Sequence, residues 1–287
     1  MEIPKLNLKK FLKENKDYKI LKRCEDTTII KLPNGDLLKI LDDELLKRIS
    51  NTGYNLETRL KEVKKMTGFR SFAWPTIMLE EKDIVTSYIM PNILGVDFTD
   101  YYENIFNLMS YANIHPQIES NIKEGNNTGI VFPDLCTTEN IRITADGKVF
   151  FIDYDDLQIK QMPAVGFSDF LGTPMEVLTK KYYDDKSGLF TKELDKKSAI
   201  FLYFVDVFGI NLAAVNRIEP QTGRIVTLDE VFSMINLDDM DIQQKVWKLF
   251  QPSVANEFLE DDLYRLAENY KLVLPFPNAP TKMLIKK

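Results

Sequence analysis

The stretch 131–159 carries oxygen-bearing side chains where they could hold a metal ion or a hydroxyl group. Asp134 and Asn140 lie in a turn-forming segment, and Asp153 follows the apolar runs IRIT and VFFI. The Asp-Gly dipeptide between these runs predicts a β-hairpin. Because a hairpin brings its outer ends together, we expect Asn140 and Asp153 to be neighbours. Their oxygens suit a hard divalent cation, and a nearby carboxylate suits the positioning of a phosphoryl acceptor.

A lysine inside an apolar strand is the second chemical feature. The segment TTIIKLPNGDLLKIL predicts two strands joined by a Pro-Asn-Gly turn, and Lys39 lies in the second strand. A buried lysine needs a partner for its charge, whereas an edge-strand lysine can point to solvent. The sequence leaves both possibilities open.

Further elements are predicted around these residues. Apolar residues at helical spacing predict a helix from Asn55 to Met66. The runs PTIMLE and DIVTSYIMPNILG, separated by the acidic turn EEKD, predict two more strands. Helical sequence from about Phe98 to Glu124 then leads into the segment that carries Asp134.

In this order, the features resemble the protein-kinase-like superfamily, whose motifs are H-R-D-L-x-x-x-N and D-F-G. Asp134-Leu135 matches the D-L, Asn140 matches the N, and Ile152-Asp153-Tyr154 matches the start of D-F-G. Phe132 and Pro133 replace the His-Arg, Asp155 replaces the Gly, and one extra residue precedes Asn140. The I-D-Y-D-D form resembles aminoglycoside and choline kinases and atypical bacterial kinases more closely than it resembles eukaryotic protein kinases.

The resemblance implies an α+β, two-lobed protein-kinase-like fold. Residues 1–92 would form an N-lobe with an antiparallel sheet and one helix, and residues 93–287 a mainly helical C-lobe. LGTPME, 171–176, resembles the end of an activation segment, and helices are expected at about 241–250 and 257–270. Asp195 and Ser198 match a D-x-x-S that braces the catalytic loop, although Asp195 equally fits a plain helix N-cap.

The resemblance also implies roles in the use of Mg²⁺ and ATP. Lys39, paired with Glu57, would orient the α- and β-phosphates, with Glu62 as the competing partner. Asp134 would position the acceptor hydroxyl. The remaining roles are adenine binding at the interlobe hinge, by Met90, Asn92 and Ile93, and magnesium binding, by Asn140 and Asp153. Asp155 would be either a direct magnesium ligand or a residue that supports the ligands. Because Pro133 replaces the arginine that pairs with a phosphorylated activation loop, we expect no obligatory phosphorylation switch.

The phosphate-gripping loop departs most from the family. G-x-G-x-x-G is expected between the first two strands, but LKRCEDTTII lies there, with no glycine from Tyr18 to Pro33. Glu25 and Asp26 would face anionic phosphates unless they turn away. The loop therefore indicates either unconventional ATP use or a fold that has lost catalysis.

Composition is typical of a globular enzyme. The 287 residues are 44% hydrophobic and 28% charged, which suits a two-lobed unit with a sizeable core. A net charge of −6 argues against a nucleic-acid partner, and no apolar run approaches a membrane span. The single histidine disfavours zinc sites, and two cysteines are too few for a disulfide framework. With no signal-peptide pattern, we expect a cytoplasmic protein of a bacterium or phage.

The first functional hypothesis is an ATP-dependent protein Ser/Thr kinase. Three alternatives stay open: a pseudokinase that serves as a binding or scaffold module, a small-molecule phosphotransferase, and an AMP transferase of the same fold. The expected partners are ATP and a protein or small-molecule hydroxyl acceptor.

Overall fold

The computed structural model describes residues 3–24, 26–66, 71–98, 108–135, 140–155, 157–165, 182–196, 198–199 and 202. Within these ranges the chain is an α+β protein with one large sheet, smaller sheets and several helices. The LGTPME segment and the helices predicted at 241–250 and 257–270 lie outside the described residues.

The N-terminal part forms a six-stranded sheet in the order β1-β5-β6-β4-β3-β2. Its strands are β1 Lys5–Asn7, β2 Lys19–Arg23, β3 Thr27–Lys31, β4 Leu37–Leu41, β5 Ile77–Glu81 and β6 Ile84–Met90. The two predicted hairpins, β3–β4 and β5–β6, are confirmed. The prediction of a wholly antiparallel sheet is wrong, because β1 pairs in parallel with β5.

Three helices accompany this sheet where one was predicted. They are α1 Leu8–Glu14, α2 Asp43–Asn51 and α3 Leu56–Lys65. Helix α3 confirms the helix predicted from Asn55 to Met66. The Asn55 side chain caps its start by accepting from the Thr58 N–H. The unpredicted α2 begins directly after β4, where Asp42 caps it and Leu45 and Ile49 form its buried face.

The second part places a hairpin against a long helix. The hairpin consists of β9 Ile141–Thr144 and β10 Val149–Phe151, and β7 Gly95–Asp97 pairs with β9. Helix α4 spans Leu108–Thr128. Its Gln117 and Asn121 side chains hydrogen-bond to backbone groups of Gly147 and Val149 at 2.8 to 3.2 Å. These bonds fix the predicted hairpin in place.

Shorter strand pairs complete the described part. β8 Ile130–Val131 pairs with β11 Gln158–Ile159, and β12 Tyr183–Asp184 pairs with β13 Leu189–Phe190. No helix within these ranges is long and apolar enough to cross a membrane.

One hydrophobic core joins the two parts of the molecule. Phe72, which follows α3, forms a bridge with Phe151 of β10, and its ring contacts those of Trp74, Phe132 and Tyr154 at centroid distances of 5.1 to 5.6 Å. Such contacts favour a fixed relative position of the rings. The sheet and the hairpin are therefore packed against each other at the place where the predicted site residues meet.

Candidate functional site

Lys39 lies on β4, and its side chain is only 7% exposed. Its ammonium is 2.7 Å from Asp153 Oδ1 and forms a second ion pair with Asp155. The possibility of a solvent-facing edge lysine is therefore wrong. The fold brings Lys39 to carboxylates more than a hundred positions later in the chain, as a buried ammonium requires.

Asp153 is set by the end of the hairpin. The Ile152 N–H donates to the Asn140 carbonyl at 2.9 Å, so the predicted proximity of the hairpin ends is confirmed. The next residue, Asp153, has a φ of 76°, in the left-handed region that few residues other than glycine adopt. This turn directs Asp153 toward Lys39 and the chain onward into the buried Asp155.

Asp134 and Asn140 are in direct contact. The Asn140 amide nitrogen donates to Asp134 Oδ2 at 2.9 Å and to its backbone carbonyl at 3.2 Å. The segment before Asp134 is braced by the buried Asp195, whose Oδ1 accepts from the Phe132 N–H at 2.8 Å. Since Asp195 lies within the helical residues 193–196, its interpretation as an N-cap is wrong. The predicted contact of Asp195 with the backbone before Asp134 is confirmed.

A cleft of about 360 Å³ opens between the large sheet and the hairpin. Its lining includes the predicted site residues Lys39, Met90, Asn92, Ile93, Asn140 and Asp153. Asp134 lines an adjoining hollow of about 20 Å³, together with Asn140 and Asp153. Asn140 and Asp153 therefore connect the large cleft with the space beside Asp134.

The charges around Lys39 shift its own pKa and those of both acids. Burial lowers the pKa of Lys39, but Asp153 and Asp155 outweigh that effect and hold the pKa above its ordinary value. Burial raises the pKa of Asp153, but Lys39 brings it below its usual range. Burial holds the pKa of Asp155 above its usual range, because the lowering effect of Lys39 is outweighed by burial and by the charge of Asp153. Lys39 is thus a cation shared between two acids, the more exposed of which has the lower pKa.

The predicted Lys39–Glu57 pair is wrong. The Glu57 carboxylate binds Lys5 at 3.2 Å and Lys61 at 2.7 Å. Helix α3 turns Leu56, Arg59, Leu60 and Val63 inward, which leaves Glu57 on its outer side. The competing Glu62 does not reach Lys39 either, because it pairs with Lys65 and with Lys160, the latter at 3.1 Å.

Asp155 is also placed differently from the prediction. Its side chain is 2% exposed, binds Lys39, and accepts from the Tyr88 hydroxyl at 3.0 Å. Within the described part of the chain, Asp155 is not among the residues that line the cleft. Its assignment as a direct magnesium ligand is therefore corrected, since the turn at Asp153 directs it to the buried side.

Two oxygen groups remain as candidate ligands for magnesium. The Asp153 carboxylate and the Asn140 side chain both line the cleft, and the Asn140 amide nitrogen is engaged by Asp134, which leaves its oxygen as the acceptor. The described ranges contain no metal-binding group of three or more His, Cys, Asp or Glu side chains. Mg²⁺ commonly takes one or two protein ligands together with waters and phosphates. The pair fits magnesium that arrives with a nucleotide.

Sequence reasoning missed two basic residues in the cleft, Lys22 of β2 and Arg142 of β9. The signal for Arg142 was present, because Ile141 and Ile143 are buried and strand alternation turns the residue between them to the other face. Asp26 does turn away from the cleft, since it binds Arg48 of α2 at 2.6 Å. The loop thus presents Lys22 to the cleft rather than Asp26.

No protein-family model matches the chain, and no curated protein is significantly similar to it. The resemblance to the protein-kinase-like superfamily therefore rests on the sequence motifs.

Proposed function

We propose that the protein is an ATP-dependent phosphotransferase, and specifically a divergent protein Ser/Thr kinase. The observation that carries the proposal is the meeting of Lys39 and Asp153 at 2.7 Å on the wall of a cleft that Asn140 also lines. A lysine beside oxygen ligands of a divalent cation is the pairing that phosphoryl transfer from ATP requires.

Each polar residue of the cleft would have a separate role in phosphate, metal or acceptor binding. Lys39 would bind the α- and β-phosphates, while Asn140 and Asp153 would hold magnesium. Magnesium, when bound, would supply positive charge that stabilises the phosphates during transfer. Asp134, held by Asn140 beside the adjoining hollow, would orient the acceptor hydroxyl and accept its proton. Positioning and charge, rather than a covalent intermediate, would account for catalysis.

The other end of the cleft suits a nucleobase. Met90 and Ile93 supply apolar surface, and the lining includes Pro91 and Asn92 between them. Pro91 has no N–H, so a base could bond only to its carbonyl or to groups of Asn92 and Ile93. Lys22 and Arg142 add positive charge to the lining, which partly offsets the lack of glycine N–H groups above the phosphates.

A binding module without turnover is the second candidate. It is favoured by the glycine-free strands over the cleft and by the neutralisation of Lys39 by two carboxylates. Such a protein would bind nucleotide without transferring its phosphate. A small-molecule phosphotransferase and an AMP transferase would use the same residues on another acceptor or another phosphate.

Nucleotide binding tests the proposal before any acceptor is known. We would measure the thermal midpoint of the wild type with ATP, with and without Mg²⁺, beside Asp153→Asn and Asp146→Asn. The latter removes an exposed carboxylate of the same hairpin, which pairs with Lys148. We expect a magnesium-dependent rise for the wild type and Asp146→Asn, and a reduced one for Asp153→Asn. An equal rise in all three, or none, would contradict the assigned site.

A further inference from the structure

We propose that Asp155, fixed by Tyr88, is the carboxylate that holds Lys39 in position for the nucleotide. This positioning role rests on the proposed function of Lys39 as the phosphate-binding lysine. It differs from the role of Asp153, which faces the cleft. Asp155 thus takes the role that the family resemblance implied for Glu57 of helix α3.

The two carboxylates beside Lys39 differ in what else they can reach. The Asp153 side chain is 36% exposed and lines the cleft, so it can turn to a metal ion. The Asp155 side chain is 2% exposed, and its oxygens contact Lys39 and Tyr88. A carboxylate buried in this way keeps its partners, because losing one leaves an uncompensated charge. When Asp153 moves to magnesium, Asp155 therefore continues to hold Lys39.

Tyr88 fixes the Asp155 carboxylate beside Lys39. Lys39 and Tyr88 are directly opposed in the β4–β6 register, so their side chains leave the same face as neighbours. The fully buried Tyr88 donates its hydroxyl to Asp155 Oδ1 at 3.0 Å, while Lys39 binds the other oxygen. The carboxylate is therefore clamped by two donors that one pair of strands supplies.

Helix α3 has a different connection. Its buried Arg59 donates to the carbonyls of Leu157 and Pro163, the latter at 2.8 Å, and Glu57 faces Lys5 and Lys61. The helix is thus attached to the segment after Asp155 and not to Lys39. It follows that the position of Lys39 depends on the Asp153–Asp155 turn and not on a movement of this helix.

Two double-mutant cycles measure the energetic coupling of Lys39 to Asp155, the proposed anchor, and to Glu57 without any need for turnover. The first combines Lys39→Met with Asp155→Asn, and the second combines Lys39→Met with Glu57→Gln, each followed by the thermal midpoint. We expect the first double variant to lose much less than the sum of its single losses, and the second to be additive. Additive losses in the first cycle, or coupling in the second, would overturn the proposal.

Steady-state kinetics with ATP distinguish a residue that positions Lys39 from one that only stabilises the fold. We expect Asp155→Asn to lower kcat/KM about a hundredfold, mainly through KM, because a displaced Lys39 no longer meets the phosphates. Tyr88→Phe should change KM in the same direction by less, while Glu57→Gln and Asp146→Asn keep wild-type values. A loss with Glu57→Gln and none with Asp155→Asn would overturn the proposal, even where Lys39→Met does not fold.

The kinase activity and the contact of Asp155 with Lys39 are tested by separate measurements. A wild type without ATP turnover would contradict the proposed kinase activity, and the first cycle would still decide whether Asp155 anchors Lys39. A turning-over wild type with uncoupled Lys39 and Asp155 would retain the kinase proposal and reject the anchor.

Discussion

At the scale of single residues, Asp153 combines a functional side chain with an unfavourable backbone conformation. Its φ of 76° costs of the order of 1–3 kcal/mol for a residue with a Cβ, although Asp and Asn bear it better than most. The conformation is held by the Ile152–Asn140 hydrogen bond before it and by the Lys39 ion pair. The strain thus lies at the residue that the proposed mechanism assigns to magnesium.

Asp153→Asn separates charge from conformation. Asparagine accepts the left-handed region, and Asp155 still neutralises Lys39, so we expect a folded protein with a circular dichroism spectrum like that of the wild type. The lost carboxylate should reduce magnesium-dependent turnover at least about a hundredfold, as removal of one electrostatic contact typically does. Wild-type turnover in this variant would contradict the assignment of Asp153 as a metal ligand.

Asp195 offers a second test at this scale, through stability. Asp195→Ala leaves the buried Phe132 N–H without its acceptor and should cost about 1–3 kcal/mol in the free energy of unfolding. Asp195→Asn keeps an oxygen at that position and should cost less. Urea unfolding of the three proteins measures the difference, and equal losses for alanine and asparagine would contradict the brace.

The same pair has a predicted pH dependence. Burial raises the pKa of Asp195 well above its usual range, although the Phe132 N–H opposes this. Between the unfolded and native pKa values the native state holds a proton that the unfolded chain releases, so wild-type stability falls as pH rises. We expect Asp195→Asn to lack this fall, measured by unfolding from about pH 5 to about pH 8. A wild-type advantage that grows with pH would contradict the sign.

At the scale of elements, β7 must approach β9 closely to form the floor of the cleft. A Cβ at Gly95 would overlap the Ile143 carbonyl oxygen and lie 2.8 Å from its carbon. Gly95→Ala should therefore cost about 1–3 kcal/mol and raise the KM for ATP, because Gly95 itself lines the cleft. Leu94→Ala, at a residue 74% exposed, is the matched control and should stay within about 0.5 kcal/mol. Similar stability in both variants would contradict the tight packing.

Helix α3 is secured by one buried arginine. Arg59→Met keeps helix propensity but removes the donors to the Leu157 and Pro163 carbonyls, at about 1–3 kcal/mol for each acceptor left unpaired. Lys61→Met on the outer face of the same helix should change unfolding by less than about 1 kcal/mol, since it removes an exposed ion pair. Chemical denaturation compares the two, and equal losses would show that Arg59 does not secure the helix.

Local patterns predicted the elements better than they predicted contacts. The β3–β4 hairpin, the Asn55-capped α3 and the β9–β10 hairpin followed from turn residues and periodicity. Helix α2 was missed although it has an Asp42 cap and an apolar face, because it begins immediately after a strand. The Asp155–Tyr88 contact spans 67 positions, and no local rule states which of several acids will reach a buried lysine.

At the scale of the whole molecule, the cleft exists because one core joins the sheet to the hairpin. The aromatic contacts of Phe72 with Phe132 and Tyr154 hold the two parts together behind Lys39 and Asp153. The residues that would bind phosphate, metal and acceptor therefore come from separate parts of the chain but share one packed support. We propose that this arrangement transfers the terminal phosphate of ATP.

That claim is tested most directly by incubating the protein with Mg²⁺ and ATP labelled on the γ-phosphate, in parallel with ATP labelled on the α-phosphate. Protein acceptors and small cationic alcohols are supplied in separate reactions, with Asp153→Asn as the control. We predict acceptor labelling from the γ-phosphate alone, on protein rather than on the small alcohols, and its loss in Asp153→Asn. Labelling from the α-phosphate, or no labelling by a wild type that binds ATP, would contradict the kinase proposal.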